Sequence, residues 1–172
     1  MRWQLLVVAA CWTGAESPPA ATSSAPRPAF AVTLERTECF GRCPAYVVAI
    51  DDVGMVAWTG KANVVASAAG RQVSREQLAE LDRAIDAAHF FELDKYGHPP
   101  ARTTCRQVGN TTTCEFSSDT ICSDTSHAIV TVQRGAKRHR VDDQQCGDVP
   151  AGLTVLEKLI DRIAGTRDWI GR

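Results

Sequence analysis

The feature that most constrains the fold is the run Cys39-Phe40-Gly41-Arg42-Cys43-Pro44-Ala45-Tyr46. Its two cysteines enclose a glycine, and a proline follows them directly. The alternation of apolar residues after the proline is typical of a β-strand. We interpret this stretch as a structural crosslink at the junction of two strands, because strand residues flank it on both sides.

The cysteine content predicts an oxidising compartment. The chain has 172 residues and 7 cysteines. One cysteine, Cys11, lies apart near the N-terminus, and the remaining even set can pair completely into disulfides. These disulfide candidates are Cys39, Cys43, Cys105, Cys114, Cys122 and Cys146. Such a framework is typical of exported proteins and rare in the cytosol.

The N-terminus predicts export and lipidation. Arg2 precedes the apolar run Trp3–Ala10, and Cys11 follows it. The sequence Val8-Ala9-Ala10-Cys11 resembles a bacterial lipobox, in which the cysteine is lipidated and becomes the first residue of the mature chain. We therefore expect a signal peptide over residues 1–10 and a lipid anchor on Cys11. The alternative is an ordinary secretory peptide that is cut after Ala15, which would leave a soluble periplasmic or secreted protein.

The next segment, residues 11–29, is predicted to be a flexible tether. It consists mostly of Pro, Ala and Ser, and it has too few large apolar side chains to offset the entropy of ordering it. A single crosslinked domain is expected over residues 30–172. No later segment offers the roughly 18 apolar residues that a membrane span requires. The predicted membrane contact is therefore the lipid anchor.

The charge balance excludes one class of partner. The chain has 19 Lys and Arg against 20 Asp and Glu, a net charge of -1. A nucleic-acid-binding protein needs a basic face that displaces counterions from phosphates. We therefore expect no nucleic acid, and the predicted partner is an unidentified protein of the cell envelope.

The periodicity of the domain predicts an α+β fold. Strands are expected over residues 31–37, 46–51, 55–59 and 64–67, and a hairpin over 128–133 and 136–141. A capping box at Ser74 predicts a helix to about Ala88, and a second helix follows Pro150. Residues 94–125 are irregular and rich in threonine and cysteine. The prediction is an antiparallel sheet of five or six strands with two helices packed on one face.

No catalytic motif, cofactor motif or metal-binding motif stands out in the sequence. A thiol-disulfide oxidoreductase using Cys39 and Cys43 is one alternative, although such enzymes usually place a closer cysteine pair at a helix N-terminus. Binding of a small ligand or metal in the 94–125 region is another alternative. A nearby group could suggest a metal site but is interpreted as surface or capping residues, because the spacing of its histidines does not bring them together: His89, Glu92, Asp94 and His98.

The run Val32–Tyr46 resembles the opening of an uncharacterised bacterial domain family of exported proteins and lipoproteins. Its hallmark resembles Cys-Phe-Gly-x-Cys-Pro-x-Tyr. The similarity extends over residues 31–170 and includes Gly54, Gly60-Lys61, Phe90-Phe91 and Ala164–Ile170. The cysteine-bearing insert from about 102 to 122 departs from it in length. The resemblance implies a location in the cell envelope and carries no established activity.

The resemblance also bears on the disulfide pairing. The hallmark motif stands alone in the resembling family, which favours a local bridge between Cys39 and Cys43. We expect Phe40 and Tyr46 to cover this bridge.

Overall fold

The computed structural model describes residues 29–97, 104–115, 124–145 and 149–171. The strands are β1 (Phe30–Arg36), β2 (Ala45–Asp51), β3 (Met55–Ala62), β4 (Ala68–Gln72), β5 (Thr104–Val108), β6 (Thr111–Glu115), β7 (Ala128–Arg134) and β8 (Lys137–Asp143). The helices are α1 (Arg75–Ala87), α2 (Ala151–Ala164) and the short α3 (Arg167–Ile170), and a 3₁₀ turn spans Phe90–Glu92. The predicted signal peptide and most of the predicted tether, with Cys11, lie outside the described residues.

Six strands form one antiparallel sheet in the order β4-β3-β2-β1-β7-β8. The central strand β1 pairs on both sides, so that Leu34 lies opposite Val48 of β2 and Val130 of β7. Alternate residues of these strands are fully buried and point to the same face, as the period of two in the sequence requires. The predicted α+β class is confirmed.

Both long helices pack against that same face. The Ser74 hydroxyl accepts the Gln77 amide, and the Gln77 side chain accepts the Ser74 amide, so the predicted capping box begins α1. The α2 helix ends at Gly165, whose φ of 74° lies in the left-handed region that glycine tolerates. Buried residues of both helices join the sheet in one apolar core. The opposite face of the sheet is the more exposed one.

The predicted fourth strand at residues 64–67 is wrong. Strand β3 continues to Ala62, past a register shift beside Ala45, and β4 begins only at Ala68. The connection between them instead packs on α3, where the amides of Val65 and Ala66 donate to the Trp169 carbonyl. These bonds take the place of strand pairing.

The region predicted to be irregular contains a second, small sheet. Strands β5 and β6 pair with each other around a turn at Gly109, whose φ is 63°. Their exposed, threonine-rich surfaces gave no apolar alternation from which a strand would be predicted.

Candidate functional site

One end of the main sheet carries the cysteine motif. Cys39 and Cys43 form a disulfide in the connection between β1 and β2, with their Cα atoms 5.7 Å apart. The local pairing implied by the family resemblance is therefore present. We call residues 39–43 the disulfide ring.

Hydrogen bonds from two neighbouring segments hold the disulfide ring in place. The Phe40 amide donates to the Asp124 carbonyl over 3.2 Å. On the other side, the Asn63 side chain donates to the Cys43 carbonyl over 3.0 Å. The ring is thus fixed to the start of the β7 segment and to the connection that leaves β3.

Phe40 does not cover the disulfide. Its side chain is 90% exposed, whereas that of Tyr46 is 3% exposed. The difference follows from position, because Tyr46 lies on the buried face of β2 and stacks on Trp58 at a centroid distance of 4.4 Å. The expectation that both aromatic residues shield the bridge is wrong for Phe40.

Beneath the ring, a network of charged side chains joins α2 to the sheet. Arg36, at the end of β1, donates to Glu157 over 3.3 Å and to Asp161 over 3.0 Å. The Tyr46 hydroxyl donates to the other Asp161 oxygen over 2.6 Å. Burial and then the adjacent Asp161 carboxylate raise the pKa of Tyr46 well above its ordinary value, so this hydroxyl stays a donor.

Glu157 lies deepest in this network and is 1% exposed. Burial raises its pKa to about 8; Arg36 opposes that rise, and the nearby carboxylate of Asp143 adds to it. The Gln145 amide donates to Asp143 over 2.8 Å and to Glu157 Oε2 over 3.3 Å. The hydrogen bonds from Arg36 and Gln145 both reach Oε2, and Glu157 Oε1 has no hydrogen-bond partner among the described residues.

The network is better placed to hold the fold together than to meet a substrate. Asp143 and Glu157 are 2% and 1% exposed, and paired carboxyls of an acid–base catalyst must contact the reacting group. The charged partners instead join three elements of the fold, which are β1, β8 and α2.

Glu157 is the residue that sequence reasoning missed. It is spaced four residues after Leu153 and three before Ile160, which places it on the buried side of α2. A single acidic residue within the otherwise apolar stripe of a helix can be recognised from the sequence. Its partner Arg36 had no such signal, because only the sheet register brings the end of β1 under α2.

The other predicted disulfide candidates are only partly described. Cys105 is disulfide-bonded, and in the strand register it lies opposite Cys114. The side chain of Cys114, together with Cys122 and Cys146, lies outside the described residues. Three of these four cysteines therefore stay predictions.

The remaining candidate residues lie apart from the disulfide ring. His89 pairs with Glu92 at 3.6 Å on the surface, and His98 lies outside the described residues. Within the described ranges, no group of three or more His, Cys, Asp or Glu residues is arranged to hold a metal ion. No helix in this part of the chain is long and apolar enough to cross a membrane.

The fold and the site define a small α+β domain whose described surface carries a disulfide-closed ring with an outward-pointing aromatic residue. The chain belongs to the family of the domain of unknown function DUF6438, whose sequence pattern matches residues 30–164. A comparison with curated proteins found no match.

Proposed function

We propose that this protein is a non-catalytic, lipid-anchored domain of the cell envelope that binds a partner. The observation that supports a binding role is the 90% exposure of Phe40 on the disulfide ring. Burying such a side chain at an interface contributes about 1.5–3 kcal/mol. The crosslink has already restricted the ring, so little entropy remains to be lost on binding.

The proposed location rests on sequence and on cysteine chemistry. Cys11 follows the short apolar segment Trp3–Ala10 and small residues, as in a lipoprotein signal. The bonded Cys39, Cys43 and Cys105 are consistent with an oxidising compartment. Residues 11–29 would then tether the domain to the membrane.

Metabolic labelling with an alkyne analogue of palmitate tests the anchor. We expect the wild-type chain to be labelled and to sediment with membranes, and Cys11→Ser to be unlabelled. A Val53→Ala variant, which changes an exposed residue of the domain, should be labelled like the wild type. An unlabelled wild-type chain in the soluble exported fraction would support the secretory alternative and contradict the anchor.

A thiol-disulfide oxidoreductase is the second candidate function. The observation in its favour is that Cys39 and Cys43 are both only half-buried, so that a reductant can reach the bond. Against it, the pair lies between two strands and not at the N-terminus of a helix, which usually lowers the pKa of a reactive thiol.

Titration with glutathione redox buffers discriminates between the two functions. A structural bond should stay oxidised under mildly reducing conditions, and the protein should not catalyse the reduction of insulin by dithiothreitol. Reduction of the bond near the potential of known oxidoreductases, together with turnover that Cys39→Ser abolishes, would favour the enzyme instead.

A further inference from the structure

We infer that the disulfide ring and the connection between β3 and β4 form one protein-binding surface. Its partner is a folded protein that offers an apolar pocket for Phe40 and charged groups of both signs around that pocket. This inference rests on the binding role proposed above and assigns it to particular residues.

Two exposed apolar side chains lie at the ring end of the sheet. Phe40 is 90% exposed on the ring, and Val65, in the β3–β4 connection, is 73% exposed. The Asn63–Cys43 hydrogen bond joins the two segments, and the Val65 amide donates to the Trp169 carbonyl over 3.0 Å. Both apolar groups are therefore presented by backbone that is already fixed, as in a preorganised interface.

The charges beside Phe40 favour a protein partner over a lipid surface. Glu38 and Arg42 flank the aromatic residue, both are exposed, and neither forms an ion pair with another described residue. The charge of Arg42 in the ring is cancelled by that of Glu38 just before it, so the segment 38–43 has no net attraction to an anionic membrane. An aromatic anchor with a polar rim is the usual composition of a protein–protein interface.

The ring also lies away from the point at which the chain enters the domain. The Ala29 amide donates to Asp52 in the turn between β2 and β3, and the Gly135 amide donates to the Ala29 carbonyl. Both contacts are at the far end of β1 from the ring, a distance of roughly 20 Å over its seven residues. A tether that leads into Ala29 therefore leaves the ring surface free.

Photocrosslinking tests this inference in the full-length chain. The photoreactive residue p-benzoylphenylalanine replaces Phe40 in one variant. In the control variant it replaces Val53, at the opposite end of the sheet. Val53 is 67% exposed. After irradiation in the membrane fraction of the producing cells, position 40 should give a discrete protein adduct that position 53 does not give.

Competition with unlabelled protein shows whether the adduct is specific. Excess wild-type protein or Val53→Ala should suppress it equally. Phe40→Ala should compete at least about tenfold less well, as expected for an interface anchor. Arg42→Glu should also compete less well, and this defect should shrink at high salt because screening weakens charge pairing. Thermal unfolding of Phe40→Ala should match the wild type, since the exposed side chain adds little to the fold.

Three results would overturn the inference: adducts with lipid alone, adducts with a second copy of this chain, or a protein adduct that Phe40→Ala suppresses as well as the wild type does. A specific adduct from position 53 but none from position 40 would leave the proposed binding role in place and refute this surface. Failure of Cys11 labelling would contradict only the proposed anchor.

Discussion

At the scale of single residues, Glu157 shows how a buried acid is accommodated. The groups that face it come from several elements: Arg36 from β1, Asp143 from β8, and Gln145 from the segment after β8. Asp161 of α2 shares the same arginine. Because the guanidinium serves both carboxyls of α2, a neutral Glu157 still leaves Arg36 paired with Asp161.

This arrangement predicts a specific dependence of stability on pH. The pKa of Glu157 is raised to about 8 in the folded chain, from an ordinary value of 4.5. Between these two values the folded state holds a proton that the unfolded state has released. The free energy of unfolding should therefore fall as pH rises through this window, and level off above the folded pKa.

The variant Glu157→Gln tests the assignment because its amide mimics the protonated acid. Its free energy of unfolding should equal that of the wild type near pH 5. At pH 9 it should be higher than that of the wild type by on the order of 3 kcal/mol. Urea unfolding across this pH range measures the difference. Glu38→Gln, on the surface, is the matched control, and its stability should depend on pH as that of the wild type does. If the stability of Glu157→Gln also follows the wild-type curve, Glu157 is ionised throughout this pH range.

At the scale of elements, the disulfide ring joins two strands that the sheet already pairs. Arg36 lies opposite Tyr46 in the β1–β2 register, directly beside the ring. The bond therefore closes a very short loop whose ends the ladder already brings together. It restrains the ring more than it restrains the fold.

Removal of the bond should weaken the domain but leave it folded. The double variant Cys39→Ser/Cys43→Ser should lower the free energy of unfolding by about 2 kcal/mol, the value that chain entropy gives for so short a loop. Denaturant unfolding with unchanged circular dichroism below the transition would support this. A chain that fails to fold would show that the ring directs the pairing of β1 with β2.

A comparison of the predicted elements with the observed ones shows which of them the sequence predicts and which it does not. The capping box at Ser74 and the helix that follows Pro150 rest on local signals, and both were confirmed. The start of β4 was mispredicted, since Val65 and Ala66 bond to Trp169 of α3, more than a hundred residues away. The exposure of Phe40 was missed for a related reason: a motif shows that a ring forms but not what packs over it.

The whole molecule depends on its last long helix to complete the core. Buried residues of β1, β2, β3, β7 and β8 all contribute to one face, and α2 supplies Leu153, Leu156, Ile160 and Ile163 to the same cluster. The strand order places β7 beside β1, so sequence-distant segments must meet before that face is complete.

Truncation of a single α2 side chain should therefore affect the entire domain. Leu156 is fully buried, and Leu156→Ala should lower the free energy of unfolding by about 2–5 kcal/mol in one cooperative transition. The adjacent Val155 is 61% exposed, and Val155→Ala should change the free energy of unfolding by less than about 0.5 kcal/mol. Equal effects of the two variants in a thermal or urea melt would contradict the assigned packing of α2.

The late position of α2 also has a consequence for biosynthesis. Until residues 151–164 have been synthesised, the apolar side of the sheet has no complete cover, and the nascent polypeptide gains little by collapsing early. A polypeptide that passes through a secretion pore must be unfolded while it does so. Because α2 follows all eight strands in the chain, a domain exported as proposed above would stay unfolded, and so able to cross a pore, until α2 has been made.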